Sequence, residues 1–131
     1  MMPEWLEGYK VVRRQGNRYV SVFEGRSKGY GFKVYGIGHV TKRTEGYLKG
    51  VKTRLRSYGP LGVFAYENGA VRFMERTWLI DDPCVVLSKC RYIKSADNCC
   101  WRPGYENRQL CHDHWYDERF ADAVELVEDV K

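Results

Sequence analysis

Thiols and imidazoles are the side chains best able to do chemistry in this chain, and they are gathered. All five cysteines (Cys84, Cys90, Cys99, Cys100, Cys111) and two of the three histidines (His112, His114) fall between positions 84 and 114. Thiolate and imidazole are the ligands zinc prefers, in a tetrahedral set of four. Cys111 and His114 are separated by two residues, so one turn can supply both, while Cys99 or Cys100 approaches from the other side of the loop. The expected ligand set is Cys99, Cys100, Cys111 and His114, holding a structural zinc that pins the 95–115 loop against the end of the strand before it. The competing use of cysteine is as a small buried hydrophobe. Cys84 and Cys90, six residues apart, share one face of a strand and read as core positions. A catalytic thiol at Cys111, beside His112, Asp113 and His114, lacks an oxyanion hole and a family signature, and sequence neighbours are not how catalytic Cys and His usually meet. No catalytic residue is assigned.

A second group could bind rather than react. From Arg26 to Arg56 the chain carries nine basic residues, Arg26, Lys28, Lys33, Lys42, Arg43, Lys49, Lys52, Arg54 and Arg56, against one acid, Glu45. Tyr30, Phe32, Tyr35 and Tyr47 are interleaved with them. Cations that neutralise phosphates beside aromatics that stack on bases make a nucleic-acid-binding pattern. The same residues equally describe a solvated basic sheet surface whose tyrosines cover a core. The glycines between 25 and 38 have neither a P-loop spacing nor a G-x-G-x-x-G leading into a helix, which argues against nucleotide hydrolysis. Positions 1–112 hold 20 Lys and Arg against 10 Asp and Glu, whereas positions 113–131 hold 2 against 7. The simplest consequence is an acidic tail that packs back on a basic body and partly neutralises it.

The elements that must position these groups follow from periodicity. Gly8–Arg14 and Arg18–Glu24 flank the turn residues Gln15-Gly16-Asn17 and read as a β-hairpin, with Trp5 and Leu6 in an arm tucked onto the core. Tyr30–Tyr35 is a third strand, His39–Arg43 a short fourth or the same strand continued past a bulge, and Thr44–Gly59 a glycine-punctuated basic strand or ribbon. Val63–Tyr66 is a short strand. Glu67–Arg76 places Ala70, Val71, Phe73 and Met74 at helical spacing. Cys84–Lys94 is the longest strand, its apolar first half suited to a central position. Ser95–Leu110 is a polar loop, and residues 117–130 place Phe120, Val124 and Val127, with Ala121, on one face of an amphipathic helix with an acidic outer side. The expected fold is α+β in one domain, residues 1–131: a mainly antiparallel sheet of five to six strands, a short helix at 67–76 and a C-terminal helix at 117–130.

Four pieces of the chain carry a resemblance: Gly8-Tyr9-Lys10-Val11, Phe32-Lys33-Val34-Tyr35-Gly36-Ile37-Gly38, Gly59–Phe64 followed by Ala70 and Phe73, and Val85–Tyr92. Over residues 8–94 this order resembles small β-rich domains encoded by phages and other mobile elements, which implies a β-rich fold and no established activity. The Gly-x-Val-Phe and Ala-x-x-Phe pair is also similar to a strand and helix of ADP-ribosyltransferase-like folds. That likeness implies a set of His, Tyr or Glu around a cofactor, which His39 and Glu75 do not complete.

Hydrophobic residues make up 44% of the 131 and aromatics 15%, which excludes a disordered chain. The N-terminal residues lack the basic and apolar regions of a signal peptide, and no run reaches the roughly 18–20 apolar residues of a membrane span. The expectation is a cytoplasmic protein, in the host cytoplasm if viral, that does not engage membranes. An odd cysteine count without an export signal makes a disulfide framework the less favoured use of the thiols. The leading functional expectation is a non-enzymatic accessory binding protein, virus- or phage-encoded, that contacts a host macromolecule. The alternatives are nucleic-acid binding through residues 26–58, and an ADP-ribosyltransferase-like enzyme or small-ligand domain. The sequence leaves oligomeric state open.

Overall fold

The computed structural model describes residues 3–22, 34–43, 61–96, 100–101, 110–111 and 117–130. Its strands are β1 (Trp5–Gln15), β2 (Arg18–Ser21), β3 (Val34–Tyr35), β4 (Val40–Lys42), β5 (Leu61–Phe64), β6 (Val85–Lys94), β7 (Cys100–Trp101), β8 (Leu110–Cys111) and β9 (Glu118–Asp129). One helix, α1 (Glu67–Arg76), and a 3-10 turn at Leu79–Asp81 lie between β5 and β6. β1 and β2 form the expected hairpin, in which Gln15 faces Arg18 across Gly16-Asn17. Gly16 has φ 60, a conformation open to glycine at little cost. Trp5 and Leu6 belong to β1 itself, opposite Ile93 and Tyr92, rather than to a separate arm.

β6 pairs with β1 along one edge, from Trp5↔Ile93 to Arg13↔Val85, and with β9 along the other. β9 also pairs with β5 and β4, and β5 returns to β1 through Tyr9↔Phe64. The pairings of this seven-stranded antiparallel sheet therefore close on themselves. Gly8 sits where β5 crosses most tightly: a Cβ there would meet the Phe64 carbonyl at 2.7 Å and the Tyr92 ring at 2.8 Å.

Two packed layers follow from strand alternation. Val12, Val63, Val86, Cys90, Tyr92, Val124 and Leu126 fill the inside of the curled sheet. Val11, Phe64, Val85 and Leu87 lie on the outside, under Ala70, Phe73 and Met74 of α1. The start of β6 is thus covered on both faces, which is why Val85-Val86-Leu87 is an unbroken apolar run. Beyond the helix the strand alternates, with Lys89 and Arg91 exposed and Cys90 and Tyr92 buried. α1 spans the predicted residues and presents Ala70, Phe73 and Met74 at helical spacing, Phe73 stacking at 5.2 Å between centroids on Phe64. Burying a side chain such as Phe73 is worth about 1.5–3 kcal/mol.

The C-terminal segment corrects the expected fold class. Residues 118–129 are a strand that completes the sheet, and a helix at 117–130 is not formed. The reason is visible in the ladder: the register with β6 slips between Lys89 and Cys90 and again between Ile93 and Lys94, leaving Val127 and Asp122 as extra residues on β9. Each bulge resets which side chains point inward. Burial along β9 therefore falls on Glu118, Phe120 and Ala121, Ala123 and Val124, then Leu126, a spacing near three that imitates a helix. Among the described residues no helix is long and apolar enough to cross a membrane.

Candidate functional site

The acidic residues of β9 meet the basic residues of its neighbours. Asp122 pairs with Arg43 at 3.1 Å, Glu125 with Arg91 at 3.9 Å, Glu128 with Lys89 at 3.5 Å, and Asp129 with Arg14 at 2.9 Å. The tail does pack back on the body, as a strand. Of the nine basic candidates for nucleic acid, only Lys42 and Arg43 lie within the described residues. Lys42 is exposed on β4, and Arg43 is largely buried, donating to Ser95 Oγ as well as to Asp122. Arg26, Lys28, Lys33, Lys49, Lys52, Arg54 and Arg56 lie outside them.

The thiols separate into three environments. Cys90 is buried inside the sheet, and desolvation pushes its thiol up to about 12, with the Lys10 charge pulling weakly the other way. Such a thiol stays protonated and unreactive at neutral pH. Cys84 departs from its expected core position: it precedes β6 and is exposed, its N–H donating to Asp82 Oδ1 at 2.9 Å. The sequence places it one residue before the buried alternation begins. Cys100 and Cys111 are brought together as opposed residues of the small β7–β8 ribbon. The other two members of the expected zinc set, Cys99 and His114, lie outside the described residues, as does His112. Among the described residues no three potential ligands converge.

The inside of the sheet holds polar groups that sequence reading missed. Lys10, 6% exposed, donates from Nζ to the Gly62 carbonyl at 2.5 Å and lies 5.0 Å from the centre of the Tyr35 ring. Glu118 is also buried, but it stands opposite Phe64 in the ladder and so on the outer face, where its Oε2 lies 3.2 Å from the position a Cβ on Gly62 would take. The signal for Lys10 was available: the alternation that buries Val12 also points Lys10 inward. Lysine and thiol in one interior resemble a reactive pair by composition, yet the inner layer of Val12, Val63, Val124 and Leu126 is closely packed around them. His39 lies exposed in the turn after β3, bridged to Gly36, and Glu75 is exposed on α1.

The outside shows the opposite anomaly at the end of α1. Thr77 closes the helix, its hydroxyl donating to the Phe73 carbonyl at 2.6 Å. The next residue, Trp78, has φ 65 and ψ 8 and is 80% exposed. Helices commonly end with glycine in this left-handed conformation, and a residue with a Cβ gives up about 1–2 kcal/mol to adopt it. Leu79 turns inward against the α1 layer, and Ile80 outward again, 45% exposed. The turn is held from below: Arg13 pairs with Asp82 at 2.9 Å, and the Arg14 N–H donates to the Cys84 carbonyl at 2.7 Å. Trp78 and Ile80 are thus displayed on a braced turn.

No family model, curated protein or solved structure matches this chain. A rigid indole beside an aliphatic side chain, both in water and both on a fixed backbone, can insert into an apolar pocket of a partner with little ordering cost.

Proposed function

We propose that this chain is a non-enzymatic accessory binding protein that contacts a partner protein through the turn carrying Trp78 and Ile80. The observation that carries the reading is Trp78, a large aromatic kept in water at a backbone position where glycine would fit better. Neither packing among the described residues nor backbone preference accounts for it, and strain of this kind is characteristic of functional positions. Tryptophan is among the residues that dominate interface energetics. The enclosure of Lys10 and Cys90 supports a role by contact rather than by turnover. The resemblance of residues 8–94 to phage-encoded domains makes a host protein the natural partner.

The test places a photo-reactive phenylalanine analogue at position 78, at position 80 and, as a control, at the exposed Arg18 of β2, in full-length protein added to host extract. The expected result is one discrete cross-linked partner from positions 78 and 80 that unlabelled wild-type protein competes away and unlabelled Trp78→Ala does not. Equal labelling from all three positions, or equal competition by both proteins, would refute the reading. A gel shift that weakens steeply with salt, seen alongside that failure, would transfer the function to nucleic acid and to the basic stretch 26–58.

A further inference from the structure

Cys100 and Cys111 are direct partners in the β7–β8 ladder, with Trp101 and Leu110 the adjoining pair. Opposed residues of an antiparallel pair have Cα atoms about 5.5 Å apart at hydrogen-bonded positions and about 4.5 Å apart at the others. Disulfides span Cα separations of about 4.4–6.8 Å. Both Cα separations fall within that range, so the ladder position brings the pair within reach of a disulfide. We infer that Cys100 and Cys111 are a cross-strand dithiol that oxidises to an intrachain disulfide, a modification site clasping the connection between β6 and β9.

The other described thiols are poor competitors. Cys90 is enclosed in the core. Cys84 and Cys90 lie at the two ends of a six-residue extended run, about 20 Å apart at the usual rise per residue, and cannot pair with each other. A tetrahedral zinc site would need four donors, whereas a disulfide needs only the two residues that the ladder already opposes. The clasp has a place in the architecture: β6 ends at Lys94 and β9 begins at Glu118, and these two strands are paired side by side. Their connection carries the ribbon, so a bond between Cys100 and Cys111 would join the ribbon's two strands covalently.

The oxidant is a small-molecule disulfide such as oxidised glutathione. One cysteine thiolate attacks it, forming a mixed disulfide and releasing one glutathione thiolate. The second cysteine thiolate then attacks the protein-side sulfur and releases the other. Two protein thiols are oxidised, one small-molecule disulfide is reduced to two thiols, and the two protons leave with them.

The experiment equilibrates reduced full-length protein in glutathione buffers of increasing oxidised fraction, quenches with acid, unfolds, alkylates and digests with trypsin. The expected result is a product lighter by two hydrogens, with three of the five cysteines alkylated, and a cross-link between the tryptic peptides 95–108 and 109–119. Cys99→Ser retains the link, and Cys100→Ser and Cys111→Ser each abolish it, with unchanged near-ultraviolet circular dichroism showing that the sheet is intact. A link that survives Cys100→Ser, a link through Cys84, or no link at any glutathione ratio would overturn the inference. So would one zinc per chain shielding these thiols until a chelator is added, which would return the pair to the metal site.

Discussion

Lys10 and Trp78 are both on the wrong side of the molecule for their chemistry, a lysine inside and a tryptophan outside, and the fold treats them differently. Lys10 is accounted for: its ammonium has the Gly62 carbonyl at 2.5 Å and the Tyr35 ring at 5.0 Å, and the side chain is buried. A buried charge left without such partners would cost several kcal/mol. Trp78 is accounted for by nothing among the described residues, since its ring is exposed and its backbone is in a region that disfavours side chains. An exception that the structure compensates is part of the fold. One that it leaves uncompensated points outward, to a partner.

The comparison breaks first at the boundary between inside and outside, and β9 tests where that boundary runs. Leu126 is 1% exposed and Val127, the bulge residue beside it, 44%. Leu126→Ala is expected to lower stability by about 2–5 kcal/mol, and Val127→Ala to change it by no more than about 0.5 kcal/mol, measured by urea unfolding. On the helical spacing that the sequence suggests, Val127 would belong to the buried face with Phe120 and Val124. Comparable losses at the two positions would therefore contradict the bulged strand.

That pair also shows what the amino-acid order could convey. The hairpin, α1 and the central β6 were legible, because each rests on local signals: Gly16-Asn17 for a tight turn, Ala70, Phe73 and Met74 for a helix face, an apolar run for a strand covered twice. β9 was not, because its inward spacing is made by two bulges whose positions are fixed by the register of β6. The extra residues at Asp122 and Val127 convert a period of two into something near three, and local pattern cannot tell this from a helix. Acidic tail and basic body were legible as charge, and the pairing of Asp122, Glu125, Glu128 and Asp129 with Arg43, Arg91, Lys89 and Arg14 is its structural form. The approach of Cys100 to Cys111 was implicit only in their clustering, since opposition across a ribbon depends on register. Trp78 went unread because neither a left-handed backbone nor exposure of one tryptophan leaves a periodic trace.

A second break in the comparison is at Lys10 itself. Lys10→Ala removes the donor to the Gly62 carbonyl, the charge over Tyr35 and the packed stem together, and is expected to cost about 3 kcal/mol. Lys10→Met keeps the stem and should recover about half of that loss. If Lys10→Ala proved nearly neutral in chemical unfolding, the lysine would not be compensated by its surroundings, and the contrast with Trp78 would lose one side.

The smallest effect expected is the one that decides the other side. Trp78→Gly removes an exposed side chain and supplies the residue that accommodates φ 65 most easily. Glycine also makes the unfolded chain more flexible, which works against the gain by roughly 0.5–1 kcal/mol. Relief of the left-handed strain, about 1–2 kcal/mol, exceeds that penalty, so the variant should be more stable by about 0.5–1 kcal/mol while losing the cross-linked partner. Trp78→Ala keeps a Cβ, and so keeps the strain, but equally lacks the indole. It should leave stability within about 0.5 kcal/mol of wild type and abolish partner binding as completely as glycine does. A tryptophan that served the fold would give the reverse order, with both variants less stable, and the turn would then be a strut rather than a contact.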